Sequence, residues 1–176
     1  SDLGRLQDAL EDFAHIQREE PQRLEGHFNA GLALTRLGRH EEAIVNLQRA
    51  RSLAPRSAPV LRGLGNALRE GGRAREGLPV LAECVSLDPS DAASHGDYGM
   101  CQLAAGQARE ALHSFQRALA LDPRDQTALA GLYLASNEAG DLAQAQTLLD
   151  PDLIGRGTLR PSDPEALRAA VLEHPQ

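Results

Sequence analysis

The sequence predicts an all-α protein in which antiparallel helix hairpins stack on one another as an α-solenoid. Two observations carry this prediction. The same residue types recur every 34 positions, and within each unit the apolar residues recur at helical spacing. Hydrophobic residues make up 41% of the 176 residues, which is too many for a disordered chain, and the aromatic share of 3% favours Leu- and Ala-rich helices over a β-sandwich.

Four series of residues share the 34-residue period. One series consists of prolines, at Pro21, Pro55, Pro89 and Pro123. Another consists of glycines, at Gly4, Gly38, Gly72, Gly106 and Gly140. A third holds small residues, at Ala9, Ala43, Gly77, Ala111 and Ala145. The fourth holds large apolar residues, at Phe13, Leu47, Leu81, Phe115 and Leu149. Because four independent series agree on one period, the chain contains internal repeats.

Each element of one repeat has a local cause. Gly38 ends the first helix, because glycine adopts a positive φ at little cost. Glu41 lies at the positive end of the second helix, and the small residues Gly31 and Ala43 let the two helices approach closely. Pro55 ends the second helix, because it lacks a backbone donor. A hairpin cannot bury both of its faces alone, so neighbours stack. The residues expected to cap the helices that follow are Ser57, Asp91 and Asp125.

In its period and residue types, the repeat resembles the tetratricopeptide repeat (TPR) family. Leu64-Gly65 matches the Leu-Gly pair of the first TPR helix, and the four prolines match the Pro that closes each TPR unit. The last repeat departs from the family pattern, because Tyr133 occupies a glycine position and Pro151 falls inside its second helix. The resemblance covers about residues 3–150 and implies a right-handed TPR superhelix.

The repeat register implies a single TPR domain over residues 1–176. Its parts are, in order, a half repeat formed by a second helix at 1–21, full repeats at 24–57, 58–91 and 92–125, a degenerate repeat at 126–159 and a capping helix at 160–176. We expect the capping helix to run from Pro164 to Glu173 with Asp163 as its N-cap, because a terminal repeat exposes an apolar face. The chain opens with Ser1 and half a repeat, so we expect it to be a piece of a longer protein.

Charge and cysteine content narrow the class of protein. The net charge of −7 argues against broad nucleic-acid binding, and no apolar run approaches the ~20 residues of a membrane helix.

Cys84 and Cys101 form neither a CxxC pair nor a metal-ligand cluster, and we interpret them as free thiols of a reducing cytosol. With no signal peptide, a cytoplasmic location is expected. All 18 positive charges are Arg, which is typical of a GC-rich genome, and we expect a bacterial source.

The sequence contains none of the common catalytic or cofactor-binding motifs. We therefore predict that the protein is not an enzyme and needs no cofactor or metal. His95-Gly96-Asp97 has the form that begins some non-haem iron sites, but no distal His is convincingly placed, so we interpret these residues as structural. Cys84 occupies a small core position of the repeat and is expected to be buried.

The first helices of TPR proteins line a concave groove that holds a protein or peptide, and the resemblance implies the same surface here. The residues predicted to line this groove are Phe28, Asn29, Leu32, Arg36, Arg62, Asn66, Arg69, Asp97, Met100 and Asn137. Asn can donate to and accept from a peptide backbone, and Arg can bind a carboxylate bidentately. Gly63, Gly96 and Gly131 are expected to leave room for a ligand.

Charge distribution suggests which partner the groove takes. Residues 22–91 carry a net charge of +2, whereas the segments on either side are negative. We hypothesise that this stretch receives an acidic or C-terminal segment of a partner; ordinary solvated arginines are the alternative. The carboxylate clamp of chaperone-binding TPR proteins is incomplete, because Asp97 stands where an Asn belongs and Thr127 and Gly131 stand where cations belong.

Two other functions are consistent with the sequence. Residues 149–154 and 165–175 resemble the lead-in to bacterial 2-oxoglutarate/iron oxygenases, so the chain would be the N-terminal targeting arm of a larger enzyme. The second alternative is self-association through the N-terminal half repeat. Its apolar residues have no first helix to pair with; they are Leu6, Leu10, Phe13 and Ile16.

Overall fold

The computed structural model describes the backbone of residues 2–140 and the side chains of residues 4–140. These residues form eight α-helices and no strand, which confirms the predicted all-α class. The helices are α1 (Asp2–Glu19), α2 (Leu24–Arg36), α3 (His40–Leu53), α4 (Ala58–Glu70), α5 (Ala74–Leu87), α6 (Ala92–Ala104), α7 (Ala108–Leu121) and α8 (Gln126–Ala139). The end of the degenerate repeat and the capping helix at 160–176 lie outside the described residues.

The helices belong to two compact units. The N-terminal unit contains α1 to α5, and the C-terminal unit contains α6 to α8. In the N-terminal unit, α2 and α3 form one hairpin, α4 and α5 form the next, and α3 packs on α4. Gln17 joins α1 to the first hairpin, because its Nε2 donates to the Gly26 carbonyl at 3.0 Å and to Asn46 Oδ1 at 2.8 Å.

The hairpins of the N-terminal unit turn at glycines with positive φ. Gly38 has a φ of 72° and Gly72 has a φ of 76°. A residue with a side chain would be strained at either of these backbone angles. The N–H of Arg39 then donates to the carbonyl of Leu34 at 2.9 Å, which satisfies a carbonyl at the end of α2. The prediction that Gly38 ends the first helix is therefore confirmed.

Glycines in the first helices allow the two helices of a hairpin to pack closely. A Cβ added to Gly31 would lie 2.5 Å from Leu47 Cγ, and one added to Gly65 would lie 2.3 Å from Leu81 Cγ. Both leucines have no exposed surface. The side chain of the second helix therefore occupies the space that any other residue of the first helix would need.

The C-terminal unit repeats this packing around one aromatic ring. Helices α6 and α7 form a hairpin, and α8 packs against both. Phe115 of α7 is fully buried between two glycines. A Cβ on Gly99 of α6 would lie 2.7 Å from Phe115 Cε1, and one on Gly131 of α8 would lie 2.3 Å from Phe115 Cζ. The Phe115 ring of α7 therefore packs against both α6 and α8 and is closely covered by the two glycines.

One arginine at the start of a second helix, Arg73, joins neighbouring elements of the N-terminal unit. Arg73 donates through Nε and Nη2 to Glu76, at 2.8 Å each, and through Nη1 to Glu41 at 3.2 Å. The hydrogen bonds from Arg73 hold the pKa of Glu76 below its ordinary value. Exposed pairs of this kind add little stability, and the contact with Glu41 links the start of α5 to α3.

The expected N-caps are confirmed at two of three helices. Asp91 and Asp125 each accept a hydrogen bond from the backbone N–H three residues later, at 3.1 Å and 3.0 Å. Ser57 occupies the N-cap position of α4, as expected, but its side chain accepts no capping bond. The reason lies in Pro59, which has no N–H and removes one of the two amide donors that a cap can use.

Substituting Gly99 of α6 by alanine should destabilise the protein, whereas the same change at Gly96 should not. Gly99→Ala would press a methyl group against the enclosed Phe115 ring, and we expect it to lower the free energy of unfolding by about 1–3 kcal/mol. Gly96→Ala is the matched control, because its added Cβ would meet only Asp125 Oδ2, at an ordinary 3.4 Å. Alanine is favoured over glycine in a helix by about 1 kcal/mol, so this variant should be as stable or more stable. Urea unfolding measures both, and equal changes would contradict the packing described.

Candidate functional site

Most of the predicted groove residues lie on two helices of the N-terminal unit, α2 and α4, which pack on each other. We call this set the α2–α4 surface: Phe28, Asn29, Leu32, Arg36, Arg62, Asn66 and Arg69. Arg36 is exposed, and the other six are half-buried. The surface therefore combines apolar, amide and cationic side chains that are held partly in place by the fold.

The apolar part of the α2–α4 surface packs against Gly63. A Cβ added to Gly63 would lie 3.2 Å from Leu32 Cδ2 and 3.5 Å from Phe28 Cε2. Phe28 also contacts the core that Leu47 belongs to. The expectation that Gly63 leaves room for a ligand was wrong, because side chains of α2 already fill that space. Gly63 instead lets α2 and α4 approach each other.

The polar part of the α2–α4 surface contains two buried atoms without a hydrogen-bond partner among the described residues. They are the acceptor Oδ1 of Asn66 and the donor Nε of Arg69. The two residues are three positions apart on α4 and therefore share one face of the helix. Leaving a buried polar group unpaired costs about 1–3 kcal/mol, so this part of α4 is not arranged for stability alone.

Arg69 is held by its neighbour Glu70. Its Nη2 donates to Glu70 Oε1 at 2.8 Å, and the side chains are 17% and 29% exposed. This contact was not predicted, because successive residues of a helix usually point apart. Arg36, at the same position of the preceding repeat as Glu70, has no ion-pair partner in residues 4–140.

Three predicted groove residues belong to the C-terminal unit. Asp97 and Met100 are half-buried on α6, and Asn137 is exposed near the end of α8. Met100 packs against the core around Phe115. These three residues form no part of the α2–α4 surface.

The glycines of the C-terminal unit also pack against the protein itself. Gly96 is buried beside the carboxylate of Asp125, and Gly131 is buried against Phe115. The expectation that Gly131 leaves room for a ligand was therefore wrong, whereas a Cβ added to Gly96 would meet only Asp125 Oδ2, at 3.4 Å. Every residue of α8 from Ala128 to Ser136 is buried. Near the C-terminal end of α8, the polar residues Asn137 and Glu138 are exposed.

The cysteines and histidines form no reactive cluster in the described part of the chain. Cys84 and Cys101 are both buried free thiols, and the Cys84 thiol donates to the carbonyl of Ala58 at 3.3 Å. The prediction that Cys84 is buried is confirmed. Within residues 4–140, no three His, Cys, Asp or Glu side chains are placed to hold one metal ion. No helix of residues 2–140 has the length and hydropathy needed to cross a membrane.

Matches to a known family decide the classification. A model of the tetratricopeptide repeat matches residues 24–57, and another model of the same repeat matches residues 62–123 and 99–150. The chain belongs to the tetratricopeptide repeat family. The resemblance from which the groove was predicted is therefore confirmed, and membership of the TPR family supports a protein-interaction scaffold.

Solved TPR structures share the fold. MamA from Desulfovibrio magneticus RS-1 is 23% identical, with a TM-score of 0.75 and an alignment that covers 82% of each chain. YrrB, described as "a TPR protein with an unusual peptide-binding site", is 22% identical, with a TM-score of 0.72 over 97% of this chain and 86% of its own. At these identities the likeness shows the fold alone. No curated protein matches the chain.

Replacing Asn66 by Leu should leave the free energy of unfolding unchanged or raise it. The buried Asn66 oxygen has no hydrogen bond to lose, and an apolar side chain of similar size removes the cost of burying it. The matched control is Gln102→Leu on α6. The oxygen of Gln102 accepts a 2.6 Å bond from the buried Ser114 hydroxyl, so this change should lower the free energy of unfolding by about 1–3 kcal/mol. Urea unfolding compares them, and an equal loss at Asn66 would show that its oxygen is paired.

Proposed function

We propose that this chain is a non-catalytic TPR scaffold that binds an extended segment of a partner protein on the α2–α4 surface. The observation that carries the proposal is the pair of buried, unpartnered polar atoms on α4, the acceptor of Asn66 and the donor of Arg69. The proposal assigns no catalytic residue, cofactor, nucleic acid or membrane to the chain.

A peptide backbone is the ligand that suits this pair of atoms. An extended peptide presents N–H donors and carbonyl acceptors in alternation, so it can donate to Asn66 and accept from Arg69 at neighbouring positions. Phe28 and Leu32 are half-buried beside α4 and supply apolar surface for a ligand side chain. YrrB supports this interpretation, because a protein with the same fold is described as having a peptide-binding site.

The cations of the α2–α4 surface favour an acidic or C-terminal segment. Arg36 is exposed without an ion-pair partner in the described chain, and Arg62 and Arg69 lie on the neighbouring helix. Residues 22–91 are also the positively charged stretch of a chain whose net charge is −7. Guanidinium groups bind carboxylates bidentately, which gives affinity and orientation.

Both cysteines are free thiols, which is typical of a protein in a reducing compartment. We therefore propose that the protein is cytoplasmic.

The double variant Arg62→Ala/Asn66→Ala should lose peptide capture. Peptides selected from a random library on the immobilised wild-type chain are the probe, and their dissociation constants are measured by fluorescence anisotropy. We expect at least a tenfold loss of affinity, about 1.4 kcal/mol, because the variant removes a cation and the backbone-binding amide.

The matched control is Gln48→Ala/Arg75→Ala, which removes one amide and one cation from exposed positions of the second helices α3 and α5. It should bind like the wild type. Unchanged affinity in the Arg62/Asn66 variant would reject the α2–α4 surface as the binding site. A pull-down from the source lysate with both variants, followed by mass spectrometry, then identifies the partner.

The N-terminal half repeat offers a second surface, for self-association. Phe13 on α1 is half-buried, whereas its counterparts Leu47, Leu81 and Phe115 have no exposed surface. Each counterpart is covered by a glycine from the first helix of its own hairpin. We propose that copies of the chain associate through this side of α1. Phe13→Asp should then lower the mass measured by light scattering at high protein concentration, and a strictly monomeric wild type at all concentrations would rule the proposal out.

A further inference from the structure

We propose that Glu70 acts as an internal competitor for the ligand: it holds Arg69 in the free protein and is displaced by a carboxylate of the bound peptide. This inference rests on the proposed function, and it specifies the ligand class as a segment that carries a carboxylate, either an Asp or Glu side chain or a chain terminus. Glu70 would then set the specificity of the α2–α4 surface.

The ion pair between Arg69 and Glu70 is incomplete when it is compared with other pairs of the same chain. Arg39 binds Glu42 through both Nε and Nη2, at 2.7 Å each, and Arg73 binds Glu76 through the same two nitrogens. Arg69 uses Nη2 alone and leaves its Nε buried without a partner. The edge of the Arg69 guanidinium formed by Nε and Nη2 is therefore only half used, and a ligand carboxylate can reach it when the Glu70 side chain moves away.

The difference follows from the spacing of the residues. In the bidentate pairs, the arginine is the N-cap residue before a helix and the glutamate lies three positions later, in the first turn, whereas Arg69 and Glu70 are successive residues within α4 that diverge. From that position Glu70 reaches one nitrogen of the guanidinium. A ligand carboxylate is not attached to α4, so it can align with both Nε and Nη2 and complete the bond that Glu70 leaves incomplete.

Helix electrostatics also weaken the hold of Glu70. It is the last residue of α4, where the unpaired carbonyls carry partial negative charge, and a carboxylate is disfavoured at that end. Release of Glu70 into solvent relieves part of this repulsion. The exchange therefore replaces a carboxylate that makes one hydrogen bond by a carboxylate that can make two. Asn66, one turn earlier on the same face, is left to bind the adjacent backbone.

Direct titration of Arg69 with a small acidic probe tests the exchange. The probe is acetyl-Asp-Asp-amide, its uncharged counterpart is acetyl-Asn-Asn-amide, and binding is followed by NMR at the Arg69 Nε–H. Glu70→Gln should bind the acidic probe about fivefold more tightly than the wild type, because an ion pair with Glu70 no longer has to be broken. The uncharged probe should bind both proteins equally weakly.

The matched control is Glu11→Gln, which removes the same charge from an exposed position of α1 and should leave the affinity for the acidic probe at the wild-type value. Equal affinity of Glu70→Gln and wild type would overturn the role of Glu70. An equal gain in Glu11→Gln would overturn it too, because net charge would then explain the effect.

The two proposals fail in different ways. If library peptides bind the wild type but Glu70→Gln does not improve binding of the acidic probe, the peptide-binding function stands and the competition by Glu70 is wrong. If Glu70→Gln improves acidic-probe binding at Arg69 while no library peptide is captured, the competition stands and the peptide-binding function is wrong.

Discussion

A large side chain of each second helix rests directly on a glycine of a first helix, and the remaining structure depends on this contact. Leu47 rests on Gly31 and reaches Gly63 of the next hairpin, and Phe115 is enclosed between Gly99 and Gly131. The contact serves two purposes at once. In both cases it brings the helices of one hairpin together and joins that hairpin to the first helix that follows: Leu47 reaches α4, and Phe115 reaches α8. A fixed repeat length is therefore a packing requirement, since one residue more or fewer would place a side chain where the glycine has to be.

The same packing creates the candidate site. Because Gly63 has no side chain, Phe28 and Leu32 of α2 lie against α4, and the polar residues of α4 are partly covered. Asn66 and Arg69 consequently keep buried polar atoms to which no residue of the described part of the chain bonds. Proteins tolerate such a cost where the atoms are needed for binding, and the well-filled cores of the hairpins offset it.

The sequence predicted much of the candidate site because the repeat register assigns residue types to faces. Together with the TPR resemblance, the register assigns Asn66 and Arg69 to the exposed side of a first helix. The pairing of Arg69 with Glu70 was not predictable, because adjacent helical residues seldom meet and their contact depends on how Arg69 bends at the end of α4. The prediction that Gly63 leaves room for a ligand was wrong for a related reason. The register shows that Gly63 faces the neighbouring repeat, but it does not show which side chains of that repeat fill the space beside it.

The sequence by itself determined the helical class, the length of the repeat, the glycine turns and the family, because these follow from local φ preferences and from residues that recur in register. Only the tertiary structure decided which polar atoms lack partners and which side chains fill the space beside each glycine. Both features depend on distances between residues far apart in the chain. Sequences with the same periodic pattern can therefore differ in which polar atoms are paired and in which side chains lie beside the glycines.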